Sequence, residues 1–199
     1  MENNFILVLF YSSTGNTASM ANEIAYGVNS IDGQHAVIRT VPSINKYTAD
    51  SQTIPEKGAI YCDMDDLRNC SGLILGSPTR FGNMSAPLKN FIDLTSDIWM
   101  SGALIDKPAG VFTSTSSMHG GNEATLLSMM LPLLHHGMIP VGLPYSLKSL
   151  HKTVRGGTPY GASHVSGGNV ESLLNDDEIQ LCRDLGKRVA RLALKINNS

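Results

Sequence analysis

Three times in these 199 residues an apolar run ends in a loop of small hydroxyl and glycine residues that leads into a helical period. Phe5–Phe10 runs into Tyr11-Ser12-Ser13-Thr14-Gly15-Asn16-Thr17. Gly72–Gly76 runs into Ser77-Pro78-Thr79-Arg80-Phe81-Gly82-Asn83-Met84. Ala109–Thr113 runs into Ser114-Thr115-Ser116-Ser117-Met118-His119-Gly120-Gly121-Asn122. Apolar runs without polar alternation suit strands covered on both faces. Strands that each feed a helix build a parallel sheet, and their loops then share the edge made by the strands' carboxyl ends.

The remaining segments fit the same scheme. Ala18, Ala21, Ile24, Ala25 and Val28 recur at helical spacing, and Ala36–Val41 reads as a second strand. Residues 43–66 are polar and read as a long connection, with a short helical turn starting near Asp65–Asn69. Pro87–Leu94 reads as a helix with Ser85 at its N-cap and Pro87 in its first turn. Ala124–His136 reads as a helix bent at Pro132, and Ile139–Leu143 as a fifth strand. Residues 144–175 show little periodicity and carry Gly156, Gly157, Gly161, Gly167 and Gly168. The last helix is capped by Asn175 with Glu178 three residues on, and Cys182, Leu185, Val189, Leu192 and Ile196 form its apolar seam. The expectation is an α/β fold over residues 1–199: one domain, a doubly wound parallel sheet of five strands with helices on both faces.

Composition narrows the function. A formal net charge of −2 speaks against nucleic acid as a partner. No run approaches the ~18 apolar residues of a membrane span, and Met1-Glu2-Asn3-Asn4 lacks the basic segment of a signal peptide. Cys62, Cys70 and Cys182 are odd in number and lack Cys-x-x-Cys spacing, which fits free thiols in a reducing compartment and a cytoplasmic location.

The loops point to one ligand held at two ends. A helix start presents unpaired N–H groups, and Ser12, Ser13, Thr14, Asn16 and Thr17 add neutral donors around Gly15. No Lys or Arg lies in that loop, which favours a single terminal monophosphate. Neither Gly-x-x-x-x-Gly-Lys-Ser/Thr nor Gly-x-Gly-x-x-Gly occurs. An ordinary capped turn is the plainer reading. Thr79, Arg80 and Phe81, fixed by Pro78 and Gly82, suit the edge of a flat ring, although Phe81 could simply fill core. Ser114, Thr115, Ser116, Ser117, Met118, His119 and Gly120 form a third loop that permits close approach to a ligand, or an ordinary solvent loop. His135-His136 ends a helix, where a histidine is commonly a cap or core group. Trp99, the sole tryptophan, is either core or an aromatic wall over a planar substrate. Neither a Gly-x-Ser-x-Gly elbow nor metal-ligand spacing is present, so no metal is expected.

Together these residues resemble a known family. Ser12–Thr17 resembles the phosphate loop of flavodoxins. Gly76–Met84, Leu134-His135-His136-Gly137-Met138 and Arg155-Gly156-Gly157-Thr158-Pro159-Tyr160-Gly161-Ala162 resemble the WrbA family of FMN-dependent NAD(P)H:quinone oxidoreductases, from Phe5 to Lys195. The resemblance implies a flavodoxin-like fold, FMN as cofactor, NAD(P)H as electron donor, a quinone as substrate and a homotetramer. It implies FMN contacts at Ser12 to Thr17, Thr79 to Phe81, Ser114 to Gly120 and His135, with Trp99 on the quinone side. Thr14 departs from the tyrosine common at the family's nicotinamide site. The rival reading is a one-electron flavodoxin-type carrier, against which the long 43–66 and 144–175 segments and the low charge stand.

Overall fold

The strand–loop–helix units assemble into a parallel sheet in the computed structural model, which describes residues 4–44, 55, 58–168 and 173–197. The strands are β1 (Phe5–Phe10), β2 (His35–Thr40), β3 (Gly72–Pro78), β4 (Pro108–Thr115), β5 (Ile139–Pro140) and β6 (Ala162–Val165). Their order is β2-β1-β3-β4-β5, every pairing is parallel, and β6 also pairs with β4. The helices are α1 (Asn16–Asn29), α2 (Met64–Asn69), α3 (Ala86–Asp93), α4 (Ser96–Met100), α5 (Asn122–His135), α6 (Lys148–Lys152) and α7 (Asp176–Asn197).

Alternation along the strands fills both faces. Ile6, Val8 and Phe10 of β1 pack under α1 and α7 with Met20, Ile24, Leu185 and Val189. Leu7 and Leu9 pack on the other face with Leu75, Leu88, Phe91 and Met129. Backbone of α1 meets backbone of α7 through two glycines. A Cβ on Gly27 would lie 2.1 Å from the Arg183 carbonyl oxygen, and one on Gly186 would lie 2.2 Å from that of Ile24.

Two expectations need correction. The fifth strand is not Ile139–Leu143. After Pro140 and Val141, whose N–H reaches the Ala109 carbonyl at 2.7 Å, the chain leaves the sheet, and the Leu143 N–H bonds Pro159 instead. β5 lies against Pro108 and Ala109, whereas β6 lies against Phe112 to Thr115, so two short strands share one position and the sheet has six strands. Residues 144–161 are therefore an excursion within the fifth position. They carry α6 and a Thr158–Gly161 turn, in which the Thr158 hydroxyl accepts from the N–H groups of Tyr160 and Gly161. Second, Ser85 sits at the N-cap of α3 without capping it, since its hydroxyl and N–H are engaged with the Ser77 hydroxyl. Trp99 lies on α4, a helix of five residues. Half of the 43–66 connection lies outside the described residues. Its end is α2, closed by a reciprocal Asp63–Asp66 capping box.

The capping pair on α7 forms as expected but does more. The Asn175 side chain accepts from the Glu178 N–H at 2.8 Å, and a Glu178 carboxylate oxygen accepts from the Asn175 N–H at 2.9 Å. Glu178 is fully buried. It also accepts from the N–H groups of Gly156 at 3.0 Å and Val165 at 3.1 Å and meets His164 Nδ1 at 3.0 Å. Burial pushes this carboxyl up, but the His164 contact and the backbone donors hold it below the usual carboxylate range. One side chain thus ties α7, β6 and the excursion together.

Candidate functional site

The strand order reverses between β1 and β3, and ligands of such sheets bind outside the carboxyl ends at that switch point. A cavity of about 200 Å³ opens there. Its walls come from the first loop (Ser13, Thr14, Asn16, Thr17), the second (Pro78, Thr79, Arg80), the third (Ser114 to Ser116) and the chain after β6 (Ser166, Gly168).

The first wall is the start of α1. Gly15, in the left-handed region at φ 95°, turns the chain into the helix and offers no side-chain cap. Ser12 does not line the cavity. Its hydroxyl accepts from the N–H groups of Gly15 at 3.1 Å and Ala18 at 3.4 Å, so it orders the loop from inside. Thr17 is buried, and its hydroxyl meets that of Ser114 at 2.8 Å across the cavity floor.

The second wall is a tight hairpin. The N–H groups of Arg80 and Asn83 reach each other's carbonyls at 2.8 and 3.0 Å around Phe81 and Gly82, both at positive φ (52° and 76°). That is the geometry of a type I′ turn, and it costs Phe81 backbone strain. Phe81 is fully exposed at the tip, so it fills no core. Arg80 Nη2 donates to the Ser13 hydroxyl at 2.9 Å and Nη1 to the Thr79 carbonyl at 2.8 Å, which joins the two walls. Among the described residues lining the cavity, Arg80 is the only charged one.

The third loop fits around a close approach. A Cβ on Gly120 would lie 2.1 Å from the Thr115 hydroxyl, and one on Gly121 would lie 3.0 Å from Gly82 Cα. Ser116, Ser117, Met118 and His119 are exposed above the cavity, with Ser116 also on its rim.

Within this chain His135 and Trp99 do not line that cavity. α5 starts at Asn122 beside the third loop and runs away from the site for 14 residues, about 20 Å at 1.5 Å per residue. His135 is its last residue, and its carbonyl accepts from Trp99 Nε1 at 2.9 Å. They border a second cavity of about 420 Å³ with Leu131, Pro132 and His136. There the structured histidine is His136, whose Nε2 meets the Thr95 hydroxyl at 3.0 Å; burial lowers its pKa.

The sequence reading missed Ser166 and Gly168. The Gly167-Gly168 pair was the available signal, but β6 has only four residues with a histidine among them, so no apolar run announced it. The described residues of the Arg155–Ala162 motif do not line the cavity, although Arg155 donates to the Val165 carbonyl beside it. The motif's glycines are tight spacers: a Cβ on Gly161 would lie 2.1 Å from the Val111 carbonyl oxygen and one on Gly156 1.9 Å from that of Ser163.

The cavity suits a phosphate monoester: neutral hydroxyls, a helix start and one guanidinium. FMN fits this donor set.

The family model for NADPH-dependent FMN reductase matches residues 6–151. An NAD(P)H dehydrogenase (quinone) of Syntrophobacter fumaroxidans is 39% identical over 206 residues, covering 98% of this chain and 99% of its own. A protein of the same description from Solidesulfovibrio magneticus is 38% identical over 203 residues, covering 96% and 98%. A solved flavodoxin described as WrbA-like, from Agrobacterium tumefaciens, superimposes with a TM-score of 0.69 at 23% identity over 96% of this chain and 98% of that one. This last likeness establishes the flavodoxin-like fold.

Proposed function

The chain belongs to the NADPH-dependent FMN reductase family, and from that premise we propose that it is an FMN-dependent NAD(P)H:quinone oxidoreductase, with the whole chain serving as one FMN-binding unit in the cytoplasm. The observation that carries this reading is the hydroxyl-lined cavity at the switch point beneath the start of α1. Relatives named NAD(P)H dehydrogenase (quinone), matched over nearly their full length, support the activity.

Bound FMN would supply two-electron chemistry, taking hydride from NAD(P)H and passing both electrons to a quinone that stacks in the same place. The protein's part is to bind and orient. Ser13, Thr14 and Asn16, with the first N–H groups of α1, would hold the phosphate. Ser12 keeps those N–H groups in place from behind the loop. The Arg80–Ser13 bond keeps the hairpin close to the phosphate loop, and the third loop lines the cavity with them.

The test is a mixture of protein, FMN, NAD(P)H and a benzoquinone. One quinone reduced per NAD(P)H consumed supports the enzyme. Failure of NAD(P)H to reduce the loaded protein would point to a one-electron carrier.

FMN should bind and FAD should not. Ser12→Ala combined with Thr17→Ala should weaken FMN binding by about 1–3 kcal/mol, since an ordering hydroxyl and a floor hydroxyl are both lost. Tight FAD binding, or unchanged FMN affinity, would refute the assignment.

We further propose a homotetramer in which Trp99 and His135 of one copy complete the site of another. Leu94, Trp99, Met100, Leu131 and Leu134 are large apolar side chains each more than half exposed on the α3–α5 side. Exposed apolar side chains gathered on one side, with Trp99 and Leu131 bordering one cavity, favour association. Trp99→Ala should then raise the quinone KM about tenfold while leaving FMN content intact, the size of a lost aromatic stack. A stable, fully active monomer in light scattering would rule the assembly out.

A further inference from the structure

His164 is fully buried, yet the mechanism above leaves it unused. Its Nδ1 edge meets the Glu178 carboxylate at 3.0 Å, and its Nε2 has no hydrogen-bond partner among the described residues. An orphaned ring nitrogen in a buried site is costly unless something meets it.

The sheet register locates the ring. β4 and β6 pair Phe112 with Ala162 and Ser114 with His164. Phe112 and Ala162 belong to the core beneath α1 and α7, and residues two positions on share their face. His164 therefore stands beside Ser114 on the α1 side of the sheet. The Ser114 hydroxyl is the one that meets Thr17 on the cavity floor. Two residues after His164, Ser166 lines the same cavity.

We propose that His164 underpins the phosphate end of this cradle: Glu178 fixes the ring, and its Nε2 edge carries a proton toward the Thr17–Ser114 hydroxyl pair when a phosphate monoester is bound. The proton comes from solvent, and no covalent bond changes. His164 acts through the hydroxyls and is a positioning residue. It would supply, from beneath, a charge-assisted donor that the first loop lacks.

The charged and titratable groups around the ring do not reproduce this role. On α7 they are Glu178 and the buried Cys182 thiol, which burial pushes up. On the excursion, the Arg155 guanidinium is engaged with the Val165 carbonyl. Further along α1 and α7, Glu23 pairs with Arg183 at 2.7 Å. At its register position β4 presents Ser114, which does not titrate.

This inference rests on FMN being the ligand, and the experiment separates the two. FMN and riboflavin are titrated into apoprotein, wild type and His164→Asn, by quenching of flavin fluorescence at about pH 6 and about pH 8.5. Asparagine can keep the Glu178 contact while removing the Nε2 edge. The variant should lose about tenfold in FMN affinity at the acid pH, little at the alkaline pH, and nothing for riboflavin, which lacks the phosphate. Equal losses for both flavins, losses independent of pH, or no loss would overturn the role. Failure of wild type to bind FMN would instead sink the cofactor reading itself. If the variant does not fold, calorimetry on wild type near pH 7.5 in two buffers decides. Net proton uptake with FMN but not with riboflavin supports the proposal, and its absence overturns it.

Discussion

Glu178→Ala should lose about 3–5 kcal/mol of folding stability, a third or more of what a domain of ordinary stability has. The carboxylate accepts from the N–H groups of Gly156, Val165 and Asn175 and meets His164. Truncation would strand those buried donors, each worth about 1–3 kcal/mol when left unpaired, and remove half of the α7 capping box. Urea denaturation of apoprotein measures the loss; a change below 1 kcal/mol would mean that water replaces the carboxylate without cost. The pH dependence has a definite sign. The folded-state pKa of Glu178 lies below the ordinary value. Its contribution is therefore complete above the unfolded carboxyl value of about 4.3 and disappears as pH falls through the folded value. Glu178→Gln should flatten stability against pH on the acid side of about 4, whereas wild type should fall steeply there.

Gly186→Val should destabilise by about 3 kcal/mol or more, the upper range for overpacking, because the atom it would strike is backbone and cannot rotate away. The added Cβ would meet the Ile24 carbonyl oxygen at 2.2 Å, and α1 and α7 would have to separate along their whole crossing. Arg183, which pairs with Glu23 and stacks over Tyr26 at 4.4 Å, would be displaced with them. Gly27→Ala should act in the same direction from the other helix, and the two changes together should cost less than their sum, since either one already parts the helices. Thermal unfolding of the three variants provides the comparison. Additive costs, or a Gly186→Val protein as stable as wild type, would contradict a backbone-to-backbone contact.

Periodicity exposed those parts of the fold that are long and repetitive. Phe5–Phe10 was read with its observed bounds, because six apolar residues between polar ends admit little else. The first and third loops were legible as cavity walls because a strand's carboxyl end fixes where the next loop goes. What stayed hidden was local and short. α4, α6 and β6 have four or five residues each, too few for a period of 3.6 or 2 to repeat. β6 is held by its pairing with β4 and by Glu178, neither of which leaves a trace in its own four residues. The distance of His135 from the third loop within one chain follows from the length of α5, which a pair of adjacent histidines does not announce. Glu178 was recognised as a cap, but its burial and its bonds to Gly156 and Val165 depend on an excursion whose path no local pattern encodes.

The divided fifth position has a consequence for the protein while it is being made. When β5 has paired with Pro108 and Ala109, the upper half of β4, Phe112 to Thr115, still lacks its neighbour. It keeps an open rim of unpaired backbone until residues 141–161 have left the ribosome and β6 arrives. Such a rim invites pairing with another nascent chain. The same residues carry the floor and one wall of the cradle, since Ser114 and Thr115 line the cavity and Ser166 follows β6. A flavin therefore cannot be gripped at all its points until the edge is sealed, and a chain that retains it has passed the stage at which it is most easily lost to aggregation.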